Sequence, residues 1–135
     1  MIVVDTNTIA YLYLPTPSTP NVERLLKLDS VWVAPLLWRS EFRNILALYV
    51  RKDIVDFDTA CQIQGKAEAL MAGGEYQIDS LSVLSTAQKS GCSAYDCEFV
   101  ALAQNLTKPL ITADKRLLRT FPDVAMTVKA FTTRA

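Results

Sequence analysis

Short β-branched runs alternate along this chain with longer segments of helical periodicity, and that alternation leaves few architectures open. Ile2-Val3-Val4 ends directly in Asp5 and reads as a buried strand running straight into a helix over residues 7–13. Further strands are expected at residues 31–34, 76–78, 110–112 and 124–126. Residues 14–20 carry three prolines and are expected to form a surface loop, after which Asn21 caps a helix holding Val22, Leu25, Leu26 and Leu28. Helices follow over residues 36–51, with Pro35 in the first turn, and over 56–72, closed by Gly73-Gly74. Others are expected over 80–90, ending at Gly91, and over 96–106 and 115–119. Strands separated by helices predict an α/β fold: three α/β/α layers around a central, mostly parallel sheet of four to five strands.

A chain of 135 residues, half of them apolar, has enough material for one core without disulfides, and no repeat, linker or low-complexity stretch divides it. The complete lack of histidine excludes Ser-His-Asp and Cys-His nucleophile arrangements and imidazole zinc sites. Proton transfer then falls to carboxylates, Lys, Tyr, Cys or a metal-held water. Cys61, Cys92 and Cys97 are odd in number and lack CxxC spacing, so they read as reduced thiols. Residues 1–5 have no charged n-region or long apolar stretch, and the longest apolar run, residues 31–38, falls well short of the ~20 needed to span a bilayer. A cytoplasmic protein without membrane association is expected.

The acids carry the functional signal. Asp5 and Asp114 each stand just past the carboxyl end of an expected strand, where open parallel sheets bind ligands; if those two strands are neighbours, both side chains face one crevice. Glu41 has Leu37, Ile45 and Leu48 at i−4, i+4 and i+7, which places a carboxylate on an apolar helix stripe. Asp96, with Phe99, Val100 and Ala103 following at i+3, i+4 and i+7, starts a helix on its inward face. Buried carboxylates are paired, hydrogen-bonded or metal-bound. Four acids converging without a His or Cys cluster suit a hard cation, Mg²⁺ or Mn²⁺, which binds phosphates and activates water. Plainer roles are available to each: Asp5, Asp96 and Asp114 as helix N-caps, Glu41 as the partner of Arg39, Arg43 or Lys52, and Asn7 and Thr112 as helix-starting residues.

In these segments the chain resembles PIN-domain ribonucleases, specifically VapC-like toxins of type II toxin–antitoxin systems. Ile2-Val3-Val4-Asp5-Thr6-Asn7 is similar to the family's opening strand and first acid, and Trp38-Arg39-Ser40-Glu41 to the segment with its second. Gly91 to Asp96, followed by Phe99-Val100-Ala101-Leu102-Ala103, resembles the segment with the third, and Leu110-Ile111-Thr112-Ala113-Asp114 then Leu117 the strand and T-x-D with the fourth. Two features depart from the pattern: Cys97 stands where a small Ala is common, and Glu98 adds an acid that reads as a solvent-facing helix charge.

The resemblance runs through the whole chain and implies a single PIN domain over residues 1–135. It implies cleavage of single-stranded RNA with one or two Mg²⁺ or Mn²⁺ ions held by Asp5, Glu41, Asp96 and Asp114. In that picture a metal-activated water attacks the phosphorus in line, and Asn7 and Thr112 orient ligands or waters. It also implies a cognate antitoxin, donating a basic segment to the pocket, and a homodimer. Arg39 and Arg43 beside Glu41, and Lys115 and Arg116 beside Asp114, are candidate phosphate contacts; ordinary solvated helix faces are the plainer reading. Residues 53–79 hold six acids and only Lys66, so that segment should face away from RNA.

Two other functions compete. A PIN-like scaffold would bind RNA or protein without cutting, and an aspartate-nucleophile phosphatase needs a second acid where this chain has Asn7. Net charge is zero, yet with the four candidate ligands set aside, fourteen basic residues face ten acids. An acidic pocket in a mildly basic surround accounts for the apparent neutrality.

Overall fold

The computed structural model describes residues 1–134. Five strands form one sheet: β1 (Ile2–Val4), β2 (Trp32–Pro35), β3 (Glu75–Tyr76), β4 (Leu110–Ile111) and β5 (Ala125–Met126), in the order β3-β2-β1-β4-β5. Every pairing is parallel, with Val3 opposite Val33 on one side and opposite Leu110 on the other. Eight helices flank the sheet: α1 (Thr6–Tyr13), α2 (Thr19–Leu28), α3 (Leu37–Arg51), α4 (Phe57–Met71), α5 (Ser80–Ser90), α6 (Ala94–Leu106), α7 (Lys115–Thr120) and α8 (Val128–Arg134). Three-residue, wholly apolar β1 is buried on both faces, as a central parallel strand must be; Val3 and Val4 are 0% exposed, as are Leu110 and Ile111 beside them. Burying such a side chain contributes about 1.5–3 kcal/mol. α6 lays Phe99, Val100, Leu102 and Ala103 into the core over β1, β2 and β4.

This topology fixes where a ligand would sit. From β1 the chain builds outward through β2 to β3, then returns to add β4 and β5 on the opposite side. The order therefore reverses at the β1–β4 pair, and the crevice opens at the carboxyl ends of those strands. The adjacency on which the pairing of Asp5 with Asp114 depended is present.

Several boundaries differ from the expected ones. Pro35 ends β2 instead of opening α3: Ala34 and Leu36 donate to β3 at Gly74 and Tyr76, so the missing N–H of Pro35 falls on the β1 side, where β1 has already given way to Asp5. α2 starts at Thr19, inside the proline-rich stretch, with Ser18 at the cap and Pro20 in the first turn, so Asn21 is an interior residue. Asp96 is the third residue of α6 and Ser93 the cap, its hydroxyl accepting from the Asp96 N–H at 3.1 Å. α8 was not anticipated; it buries Phe131 and Thr132 and packs against α2.

Gly74 is required where β3 meets β2, because a Cβ there would collide with the Trp32 carbonyl oxygen. Gly74→Ala must push β3 outward and is expected to destabilise by about 2–3 kcal/mol, read from the urea midpoint. An unchanged midpoint would show that the edge strand moves freely.

Candidate active site

Asp5, Glu41, Asp96 and Asp114, delivered by four separate segments, line one cavity of about 300 Å³ with Asn7, Asn44 and Leu117. It lies at the reversal point of the sheet. Asp5 follows β1, caps α1 and is clamped on both oxygens. Oδ1 accepts from the Thr8 N–H at 2.9 Å and the Thr8 hydroxyl at 2.7 Å, and Oδ2 accepts from the Thr112 hydroxyl at 2.6 Å. Thr112 in turn accepts from the Asp114 N–H at 3.0 Å, which links the ends of β1 and β4 through one hydroxyl. Asp114 caps α7 through Oδ1 alone, taking the Leu117 N–H at 3.0 Å. Capping and lining the cavity are thus compatible, since a cap occupies only part of a carboxylate's acceptor capacity.

Among the described residues Glu41 has no ion-pair partner; its Oε1 accepts from the Thr6 hydroxyl at 2.6 Å. Among the described residues none of the four acids forms a salt bridge. Burial is the main cause that raises the Asp5 carboxyl above its ordinary range, with the charge of Asp114 adding to it and the bonds from Thr112 and Thr8 opposing it. Burial likewise raises Glu41, against the Thr6 bond and aided by the charges of Asp96, Asp5 and Glu98. Asp96 is raised by burial and by Asp114, with the Ser93 bond and the charge of Arg116 opposing. A concentration of negative charge without a cationic partner suits a bound cation. As the side chains stand, however, no group of three or more His, Cys, Asp or Glu among the described residues is gathered closely enough to hold an ion.

The other sequence candidates are distributed unevenly. Asn7 lines the cavity. Arg39 does not offer a free guanidinium: Nε and Nη2 grip the two oxygens of Glu75 at 2.5 and 2.7 Å, and Nη1 reaches Glu68 at 3.0 Å. The indole N–H of fully buried Trp38 donates to the same Glu75 at 2.8 Å, so this pair joins α3 to the sheet edge. Arg43 folds back onto the Arg39 carbonyl at 3.0 Å and borders an apolar groove between α3 and α4. Lys115 is exposed at the start of α7, and Arg116 donates to the Gly91 carbonyl at 2.7 Å. Glu98 is half-buried instead of facing solvent; its charge reaches Glu41, and it shares a small neighbouring pocket with Ile78 and Leu84. Thr6 and Thr8 were not singled out from the sequence, although both hold the acids in place. The three cysteines are free thiols, and no described helix is long and apolar enough to cross a membrane.

A parallel five-stranded sheet flanked by helices, with its crevice at the β1–β4 ends, is the PIN-like α/β/α fold. A crystallised protein of Pyrobaculum aerophilum superposes with a TM-score of 0.78 over 98% of this chain and 87% of that one, at 20% identity. A toxin–antitoxin complex from Klebsiella pneumoniae gives 0.71 over 95% and 98%, at 15% identity, and VapBC-1 from nontypeable Haemophilus influenzae gives 0.66 over 96% and 99%, at 18%. In sequence the chain is 29% identical to Ribonuclease VapC3 of Pyrobaculum aerophilum over 134 aligned positions, covering 90% of this chain and 95% of that protein. No family model matches the chain. The resemblance to VapC-like PIN-domain proteins drawn from four short motifs therefore holds, with a curated relative in sequence and with these structures in fold.

Proposed function

We propose that this chain is a divalent-metal-dependent endoribonuclease that hydrolyses phosphodiester bonds of single-stranded RNA and serves as the toxin of a toxin–antitoxin pair. The observation that carries the reading is the convergence of Asp5, Glu41, Asp96 and Asp114, without a cationic partner, on one cavity at the reversal point of the sheet. The donor set is all hard oxygen, which fits Mg²⁺ or Mn²⁺ in kind, and these four residues would hold it. A divalent ion there supplies charge neutralisation for a phosphodiester and lowers the pKa of water. The protein's own contribution is orientation: Thr8 and Thr112 fix the rotamer of Asp5, Thr6 fixes Glu41, and the α7 cap fixes Asp114, leaving its second oxygen for the ligand. Asn7, exposed on the cavity wall, would orient a water or a phosphate oxygen.

The name of the relative, Ribonuclease VapC3, supports RNA as substrate, and the toxin–antitoxin complexes among the neighbours in fold support an antitoxin partner. A homodimer in the cytoplasm belongs to the same reading. The test is incubation of the purified protein with a short single-stranded RNA: cleavage is expected with Mg²⁺ or Mn²⁺, abolished by EDTA and restored by excess Mn²⁺. Cleavage that persists in EDTA would refute metal dependence. A second reading, a PIN-like scaffold that does not cut, is favoured by one observation: the carboxylates are not drawn together in threes. Absence of divalent-cation binding in a titration would decide for it.

A further inference from the structure

We propose that Arg116 is a positioning residue: it ties the first turn of α7, which carries Asp114, to the loop that launches α6, which carries Asp96, and so fixes how those two carboxylates face each other across the cavity. The inference rests on the nuclease reading above and assigns a role within that site.

The observations begin at the end of α5. Gly91 closes that helix in the left-handed conformation, φ +73°, and its N–H returns to the Ala87 carbonyl. The Gly91 carbonyl instead accepts the Arg116 Nη2 at 2.7 Å, across 25 residues of sequence. Two residues beyond Gly91, Ser93 caps α6 and holds the Asp96 N–H, so the position of Asp96 follows that of the loop. On the other wall Asp114 is the cap of α7, so its position follows the helix to which Arg116 belongs. α7 packs chiefly against β5, and its buried Leu117 lines the cavity beside Asp96 and Phe99 of α6, so the Arg116 bond adds a polar tie to an apolar one. The two acids repel, and Arg116 is the cation whose charge is felt at Asp96. The guanidinium thus joins α7 to the loop ahead of α6 as a hydrogen-bond donor, without a salt bridge to either acid. A planar group with five donors suits that bridging task, and a side chain so engaged is poorly placed to follow an RNA backbone.

The experiment compares the full chain with Arg116→Ala and Arg116→Lys by three readouts. Hydrogen exchange of amides 92–97 reports the tie without any ligand, Mn²⁺ binding by electron paramagnetic resonance reports the acids without RNA, and steady-state cleavage of a short single-stranded RNA separates kcat from KM. In Arg116→Ala, exchange of that segment should accelerate several-fold, Mn²⁺ affinity should fall by about 10-fold or more, and kcat should fall similarly with KM within about twofold. Arg116→Lys, which keeps a donor and the charge, should lie between the two. A raised KM with unchanged kcat and exchange would make Arg116 a phosphate contact and overturn the proposal, as would three unchanged readouts. If the parent chain neither cuts RNA nor binds Mn²⁺, the nuclease reading fails, and the exchange measurement alone then decides whether the tie exists.

Discussion

Asp5→Asn is expected to lose RNA cleavage by more than about 100-fold while the protein melts at the same or a higher temperature in metal-free buffer at pH 7. The loss should exceed the 10–100-fold typical of residues that only orient ligands, because Asp5 is assigned to the ion itself. The fold survives because the Asn carbonyl still accepts from the Thr8 N–H and hydroxyl, so the cap of α1 persists. The bond from the Thr112 hydroxyl to Oδ2 must rearrange, since the Asn NH2 that takes that place donates and cannot accept; a neutral hydrogen bond is worth about 1 kcal/mol. Opposing that loss, a carboxylate whose charged form burial disfavours is replaced by a neutral amide, and the repulsion with Asp114 disappears. Full cleavage by Asp5→Asn would sink the assignment. Inactivity with a much lower melting temperature would mean that Asp5 serves the fold first.

Much of this site is legible in the chain because strands and amphipathic helices report orientation. Glu41 is conspicuous because Leu37, Ile45 and Leu48 form an apolar stripe with it; the structure instead buries Trp38, Phe42 and Leu46, leaves Leu37 and Ile45 partly buried and Leu48 exposed, and finds Glu41 half-buried, without the arginine partner that the plainer reading allowed. Asp5 and Asp114 follow from the rule that parallel sheets bind ligands at their carboxyl ends, once β1 and β4 are neighbours. What sequence does not report is the rotation of one helix against another. Thr6 meets Glu41 across 35 residues, and Thr112 meets Asp5 across 107; both contacts depend on how α1 sits against α3 and on sheet order. Arg39 shows the same limit from the other side. Two residues from Glu41 on a helix is nearly half a turn too far to share its face, so the guanidinium turns to Glu75 and Glu68. The position of Glu98 after Asp96 predicts a solvent-facing charge, yet α5 covers that part of α6 and the charge bears on Glu41. Pro35 closes β2 and Pro20 sits in the first turn of α2, because a proline signals a missing donor, not which neighbour goes without it.

In metal-free buffer the thermal stability of this protein should fall as pH rises from the ordinary carboxylate range of roughly 4 through the raised values of its cavity acids, and saturating Mn²⁺ should reverse that slope. The folded-state carboxyls of Asp5, Glu41 and Asp96 are all raised, burial being the largest cause for each. A raised group binds its proton more tightly in the folded state, so its contribution is complete below the ordinary carboxylate pKa of roughly 4 and is lost as pH climbs through the raised value. Asp56, Glu75 and Asp79 are lowered by hydrogen bonds or by the Arg39 pair, and their contributions are lost only as pH falls below that ordinary range. The two sets act in different windows, so the raised acids control the interval above the ordinary carboxylate range. A divalent ion that binds the ionised cluster removes the repulsion and competes with the protons, hence the reversal. At 100 times its Kd such an ion adds about 2.7 kcal/mol, on the order of 10 °C in melting temperature for a chain of this length. Asp5→Asn should both flatten the metal-free slope and abolish most of the Mn²⁺ shift. A melting temperature that rises with pH in EDTA, or a Mn²⁺ shift that Asp5→Asn retains, would show that this cavity is not where the ion binds.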